Sequence, residues 1–197
     1  MSTRTIGTDL PDRPRRVVTT IRGGKSVLLS DGTPPNAHVH ASWPGHMTSV
    51  CWATAPDLTI PLAETEPAPA GIRVTPEPGE TRLMIVRFPP DQVFASPDYD
   101  PAAAVVEQAA HVPGLAERFE TDSPGMHTTD SVDYGIVLDG EIWLELDDGV
   151  EVHLRRGDVV VQGGTRHAWR NKGCRSATLA FVLLGALRFS SPGPAVA

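Results

Sequence analysis

The stretch "VLDGEIWLELDDGVEVHLRRGDVVVQGGTRHAWRN", residues 137–171, decides the fold of this chain. Asp139-Gly140 and Asp148-Gly149 are hairpin signals, because aspartate followed by glycine tolerates the positive φ that a tight strand reversal requires. Between them Ile142, Leu144 and Leu146 alternate with Glu141, Trp143 and Glu145, the period of a half-buried strand. Two more strands are expected on either side of Gly157-Asp158. Downstream, "SATLAFVLLGAL" (residues 176–187) is a continuous apolar run, as a strand buried on both faces would be. Short strands at even spacing, separated by Gly/Asp turns, make an all-β sandwich or barrel.

Working outward, "RRVVTTIRGGKSVLLSDG" (residues 15–32) reads as two β runs joined through Gly23-Gly24. "TSVCWATAP" and "TRLMIVRFPPD" are further strands, the second ended by Pro89-Pro90. Between them, residues 61–79 are rich in proline and form a long surface loop. One helix is expected near residues 101–112, with Asp100 at its N-cap, Pro101 at its first position, and Pro113-Gly114 as its stop. His111 at its end suits the preference of a helix C-terminus for a cation. The organisation expected is a flexible arm (1–14), a β-rich extension (15–120), a conserved barrel (121–188) and a flexible tail (189–197).

The chain has 197 residues, enough to bury a core without covalent staples. A formal charge of −7 argues against a broad nucleic-acid surface, despite a short basic arm. Two cysteines without a C-x-x-C spacing are neither a disulfide framework nor a structural zinc site. No secretory leader or membrane-length apolar run is visible, so the expectation is a cytoplasmic protein without a membrane.

His127, Thr129 and Asp133 fall at odd positions and share a strand face. His167, Trp169 and Asn171 do the same on a later strand. If the two faces converge inside a small barrel, two imidazoles and one carboxylate meet. Such an N,N,O set with open positions suits a divalent ion: Fe, Mn, Ni or Zn.

These residues carry a resemblance. His127-x-Thr129-x3-Asp133-x6-Gly140, followed by Gly157-x5-Gly163-Gly164-x2-His167-x3-Asn171, resembles the two motifs of the cupin superfamily, G-x5-H-x-H-x3/4-E-x6-G and G-x5-P-x-G-x2-H-x3-N. The resemblance covers roughly residues 126–185. It implies a double-stranded β-helix, or jelly-roll, barrel with an N-terminal β extension, and puts the metal ligands on His127, Asp133 and His167. Thr129 stands where the motif has its second histidine, and Asp133 replaces a longer glutamate. A homodimer is likewise what the resemblance implies.

The resulting expectation is an enzyme acting on a small carbonyl- or hydroxyl-bearing molecule. His127, Asp133 and His167 are its catalytic residues, and Thr129, Gln162, Trp169 and Asn171 contact the substrate. A metal held there would polarise a substrate oxygen, favouring dehydration, decarboxylation, isomerisation or ring closure. Alternatives are an Fe(II)-dependent oxygenase and a metal-free ligand-binding or sensor barrel.

A second pair, Gly32-x5-His38-x-His40, matches the opening of the first motif but lacks the carboxylate that should follow. His38, His40 and His46 are therefore read as strand or loop histidines able to pick up metal adventitiously. Trp143 and His153 are assigned to an outer, polar sheet face, and Tyr134 points away from Asp133.

Overall fold

A computed structural model describes residues 13–189. The expected arm lies outside these residues except for its last two positions, and the tail lies outside except for Phe189. Eleven strands and one α-helix follow in order: β1 (Arg16–Arg22), β2 (Lys25–Gly32), β3 (His38–Val39), β4 (Met47–Thr54), β5 (Thr81–Phe88), α1 (Pro101–His111), β6 (Ser131–Asp139), β7 (Glu141–Glu145), β8 (Glu151–Arg155), β9 (Val159–Gly163), β10 (Ala168–Arg170) and β11 (Ala177–Gly185).

The local chemistry places them as expected. β1 and β2 form an antiparallel hairpin, with Gly23 and Gly24 at φ 59° and 74°. The Asp100 carboxylate accepts from the Ala102 and Ala103 amides, capping a helix that opens on Pro101. Gly140 takes φ 76° between β6 and β7, where a Cβ would lie 2.7 Å from the Ser176 carbonyl oxygen. Only glycine fits that turn.

Two sheets face each other. One has six strands in the order β3-β4-β5-β11-β6-β9, and the other has three in the order β10-β7-β8. The enclosed core includes Val50, Met84, Val86, Val137, Ile142, Leu144, Leu154, Leu179, Phe181 and Leu183. Ile142 and Leu144 point inward from β7, while Trp143 lies outward and stacks on His153 with ring centres 4.1 Å apart. β11 pairs with β5 on one side and β6 on the other, so its unbroken apolar sequence is that of a central strand.

This topology modifies the expected organisation. β4 and β5 come from before residue 120, yet they belong to the same sheet as β6, β9 and β11. The boundary at 120 divides the sequence pattern and not the sheet, because β5 pairs directly with β11. Among the described residues, no helix is long and apolar enough to cross a membrane.

Candidate functional site

His127 and His167 meet across an isolated antiparallel bridge. Each backbone N–H donates to the other's carbonyl at 3.0 Å. The pairing puts both rings on one side, with centres 4.3 Å apart and planes inclined by 53°. His127 Nδ1 lies 3.1 Å from the Gly125 carbonyl oxygen, and His167 Nδ1 lies 2.9 Å from that of Thr165. A carbonyl can only accept, so each Nδ1 carries the proton and each Nε2 is left with a lone pair. Burial depresses both pKa values. That of His167 falls to about 4, with the neighbouring His127 adding to the effect and the Thr165 carbonyl opposing it. Both rings are therefore neutral near pH 7, in the form that ligates metals or accepts protons.

Asp133 sits on β6 directly opposite Gln162 on β9, so their side chains share the inward face. Its Oδ2 accepts from the Thr129 hydroxyl at 3.4 Å, and Ser131 in turn donates to Thr129 at 3.0 Å. Asp133 Oδ1 and Gln162 Nε2 are buried without any hydrogen-bond partner. Burial raises the Asp133 pKa, against the opposing effect of the Ser131 and Thr129 hydroxyls. Two orphaned polar atoms on facing residues mark a place that a ligand's polar groups would complete.

The two imidazoles fit a divalent ion: both are neutral, oriented through Nδ1, and have Nε2 open. The carboxylate is the weaker part of the fit. Among the described residues, the ligand-type side chains whose donor atoms all lie within 4.8 Å of one another are His38, His40 and Glu107, and not His127, Asp133 and His167.

Of the remaining expected contacts, Trp169 faces the interior, 5.9 Å from His167 and 5.4 Å from Phe181 between ring centres. It forms the apolar wall beside the imidazoles. Asn171 does not present its amide to the interior space. Its Nδ2 donates to the Phe88 and Arg175 carbonyls, each at 2.9 Å, and its Oδ1 accepts from the Gly173 N–H. The strand alternation that put Asn171 beside His167 ends with β10 at Arg170, where the chain turns.

His111 also departs from expectation. Its ring stacks on His38 with centres 3.4 Å apart, and burial followed by the His38 charge lowers its pKa. The shift disfavours the charged form that a helix end would otherwise favour. The cluster around it was hidden in sequence because Glu107 lies far along the chain from His38 and His40. Only the Gly32-x5-His38-x-His40 spacing pointed to half of it.

A surface depression of about 300 Å³ includes Met126, Arg166 and Arg170 in its lining but neither histidine of the pair. Its arginines are already committed, Arg166 to Glu120 and Asp147 and Arg170 to Glu145. The buried pair is the better candidate.

Residues 119–184 match a family model described as "Cupin domain". The chain is similar to phomopsin biosynthesis cluster protein C' of Diaporthe leptostromiformis, 64% identical over 47 residues, which are 24% of this chain and 25% of that protein. It is 42% identical over 71 residues to oryzines biosynthesis cluster protein J of Aspergillus oryzae, 36% of each chain. It is 37% identical over 86 residues to the cupin-domain-containing oxidoreductase fogC of Aspergillus ruber, 40% of this chain and 42% of that one. The matched stretch thus spans less than half of each relative. Among solved structures, an RmlC-like cupin protein with a double-stranded β-helix fold from Methanocaldococcus jannaschii aligns with a TM-score of 0.36 at 14% identity, covering 57% of this chain and 74% of that one.

Proposed function

We propose, for a chain that belongs to the cupin superfamily through residues 119–184, that the barrel interior is the active site of an enzyme acting on a small carbonyl- or hydroxyl-bearing molecule. The observation that carries this reading is a buried pair of neutral, oriented imidazoles together with an unsatisfied carboxylate oxygen on the inward face of β6. A purely structural core gains nothing from leaving Asp133 Oδ1 and Gln162 Nε2 unpaired, because each loses its hydration without replacement.

The residues divide the work by chemistry. His127 and His167 would hold a divalent ion through Nε2, with Asp133 as the third ligand of the set if its carboxylate turned toward the two rings. Such an ion supplies Lewis acidity toward a substrate oxygen. Where Asp133 is not a ligand it suits proton transfer instead, because burial holds its pKa above the ordinary carboxylate value. Gln162 Nε2 donates to a substrate oxygen, and the Thr129 hydroxyl steadies Asp133. Trp169 packs against the apolar part of the ligand and helps exclude water. Proton abstraction beside a carbonyl, leading to dehydration, isomerisation, decarboxylation or ring closure, is the chemistry this arrangement favours.

A second reading rests on a separate observation: three similar proteins bear the name cupin-domain-containing oxidoreductase. With Fe(II) on the same histidines, the site would support oxidation. A homodimer belongs to the same proposal. β9 is an edge strand whose Val159 and Val161 are 61% and 67% exposed, a face that pairing would cover.

The deciding experiment incubates untagged, divalent-metal-loaded protein with enolisable β-hydroxy ketones in D2O and reads deuterium at the α-carbon by mass spectrometry. Exchange that Asp133→Asn abolishes while the variant keeps its metal content supports proton transfer by Asp133. No exchange above buffer, coupled with Fe(II)-dependent oxygen consumption, would replace the first reading with the second.

A further inference from the structure

Away from the barrel's imidazole pair, a second set of histidines gathers where β3 meets α1. His38 lies opposite Thr48 in the β3–β4 register, and the His40 N–H donates to the His46 carbonyl two residues further on. The alternation of a strand therefore turns His38 and His40 to the same face. From the other side, α1 presents Glu107 and His111, four residues apart and so on one helical face.

Glu107 is the centre of the cluster. Its Oε1 lies 2.7 Å from His38 Nε2 and accepts from the Ala41 N–H at 2.9 Å. Its Oε2 accepts from the Ser42 N–H and hydroxyl and stands 3.9 Å from His40 Nδ1. The simplest account is a carboxylate that caps the loop at residues 41–42, with histidines packed around it. That account leaves one atom unexplained. The His40 side chain is fully buried, its Nε2 pairs with the Thr48 hydroxyl at 3.1 Å, and its Nδ1 has no partner.

A separation of 3.9 Å is too long for a hydrogen bond between Nδ1 and the carboxylate. It is close to what two ligands of one ion require, since donors at about 2.0–2.2 Å around a tetrahedral centre stand about 3.4 Å apart. One donor atom from each of His38, His40 and Glu107 falls within 4.8 Å of the others. The His38–Glu107 contact must open for an ion to enter. Stacking of His111 on His38 fixes that ring, and His46 backs His40 with ring centres 4.7 Å apart. Burial, reinforced by neighbouring imidazoles, holds the His40 and His46 pKa values down at about 4 and about 3, so these rings are uncharged near pH 7.

We infer that His38, His40 and Glu107 bind one divalent ion of the zinc class, fastening the β3 edge to helix α1 at a site separate from the barrel interior. Two imidazoles and a carboxylate are a donor set for such an ion, and the loop amides hold the carboxylate in place. The inference stands independently of the catalytic reading, and its failure would leave that reading untouched.

The test is calorimetric titration of chelator-treated, untagged protein with Zn(II). The barrel variant His127→Ala/His167→Ala is expected to keep one site of micromolar affinity or better and to gain several degrees of Tm on loading. His38→Gln and Glu107→Gln, introduced into that background, should each weaken it at least tenfold. Zinc binding that disappears in the barrel variant, or that His38→Gln and Glu107→Gln leave unchanged, would overturn the inference. A measurement free of substitutions guards against misfolding: Co(II) added to the unaltered protein should broaden the Ala41 and Ser42 amide resonances. Sharp Ala41 and Ser42 signals at saturating Co(II) would equally overturn it.

Discussion

His127 and His167 are joined twice over: their backbones exchange two hydrogen bonds of 3.0 Å, and their rings lie 4.3 Å apart. The backbone bonds do not depend on either side chain. His167→Ala should therefore keep the strand pairing and lose only the ring, so the variant folds. Its metal affinity in the barrel is expected to drop by roughly 100-fold or more, since loss of even an outer partner of a ligand costs 10–100-fold. Metal content of the His38→Gln background, with and without His167→Ala, measures this. Unchanged barrel occupancy would remove His167 from the ligand set.

Asp133 should show a trade-off between stability and activity. The residue is 6% exposed and has one carboxylate oxygen unpaired. Asp133→Asn removes a poorly solvated charge and gives Gln162 a neutral neighbour. The variant is expected to be as stable as the parent or more so, by about 1 kcal/mol near pH 7, while turnover is lost. Chemical denaturation and the deuterium-exchange assay read the two quantities. A clear loss of stability would mean that Asp133 serves the fold and not a reaction.

How much of this was legible in sequence follows from which contacts are local. The barrel strands were readable because Asp139-Gly140, the Ile142/Leu144 alternation and the apolar run of β11 each fix their element within a few residues. The cupin resemblance, carried by His127, Gly140, Gly157 and His167, is borne out by the family match and by the two-sheet barrel. Contacts between distant segments were not readable. Glu107 reaches His38 across 69 positions, and Asn171 reaches Phe88 across 83. Neither pairing leaves a periodicity or spacing behind. The same reason explains why β4 and β5 looked like an extension when they complete the main sheet.

Stability should fall as pH drops from 7 toward 5. His40 and His167 have folded pKa values of about 4 and His46 about 3, all below the ordinary 6.5. Between those values and 6.5 the unfolded chain holds more protons, so stability rises with pH through this window and is complete above it. For His40 and His167, each depression corresponds to roughly 3 kcal/mol. Asp133 works in the opposite sense, because its raised pKa favours the folded state as pH falls through it. One carboxylate does not offset three histidines. Tm measured with chelator present should decline by several degrees from pH 7 to pH 5, and a flat profile would contradict the buried neutral rings.

Asn171 was expected to touch substrate, and the structure gives it a different task whose consequences are measurable. Its backbone N–H donates to the Asp91 carboxylate at 3.0 Å, and its carbonyl accepts from the Asp91 N–H at 2.8 Å. Its side chain meanwhile spans the Phe88 and Arg175 carbonyls and the Gly173 amide, with the residue 2% exposed. Asn171→Leu strips three backbone groups of their partner at once. At about 1–3 kcal/mol for each group left buried and unsatisfied, and allowing for partial rehydration of the turn, a loss of about 3–5 kcal/mol is expected. Asn171→Asp keeps the acceptor for Gly173 but aims a carboxylate oxygen at two carbonyls, so it should also destabilise, and more severely above the carboxylate's pKa than below it. A substrate contact would behave otherwise, raising KM while leaving Tm in place. Urea denaturation of both variants at two pH values separates these outcomes, because only the corner-pinning role makes Asn171→Asp regain stability on acidification relative to Asn171→Leu.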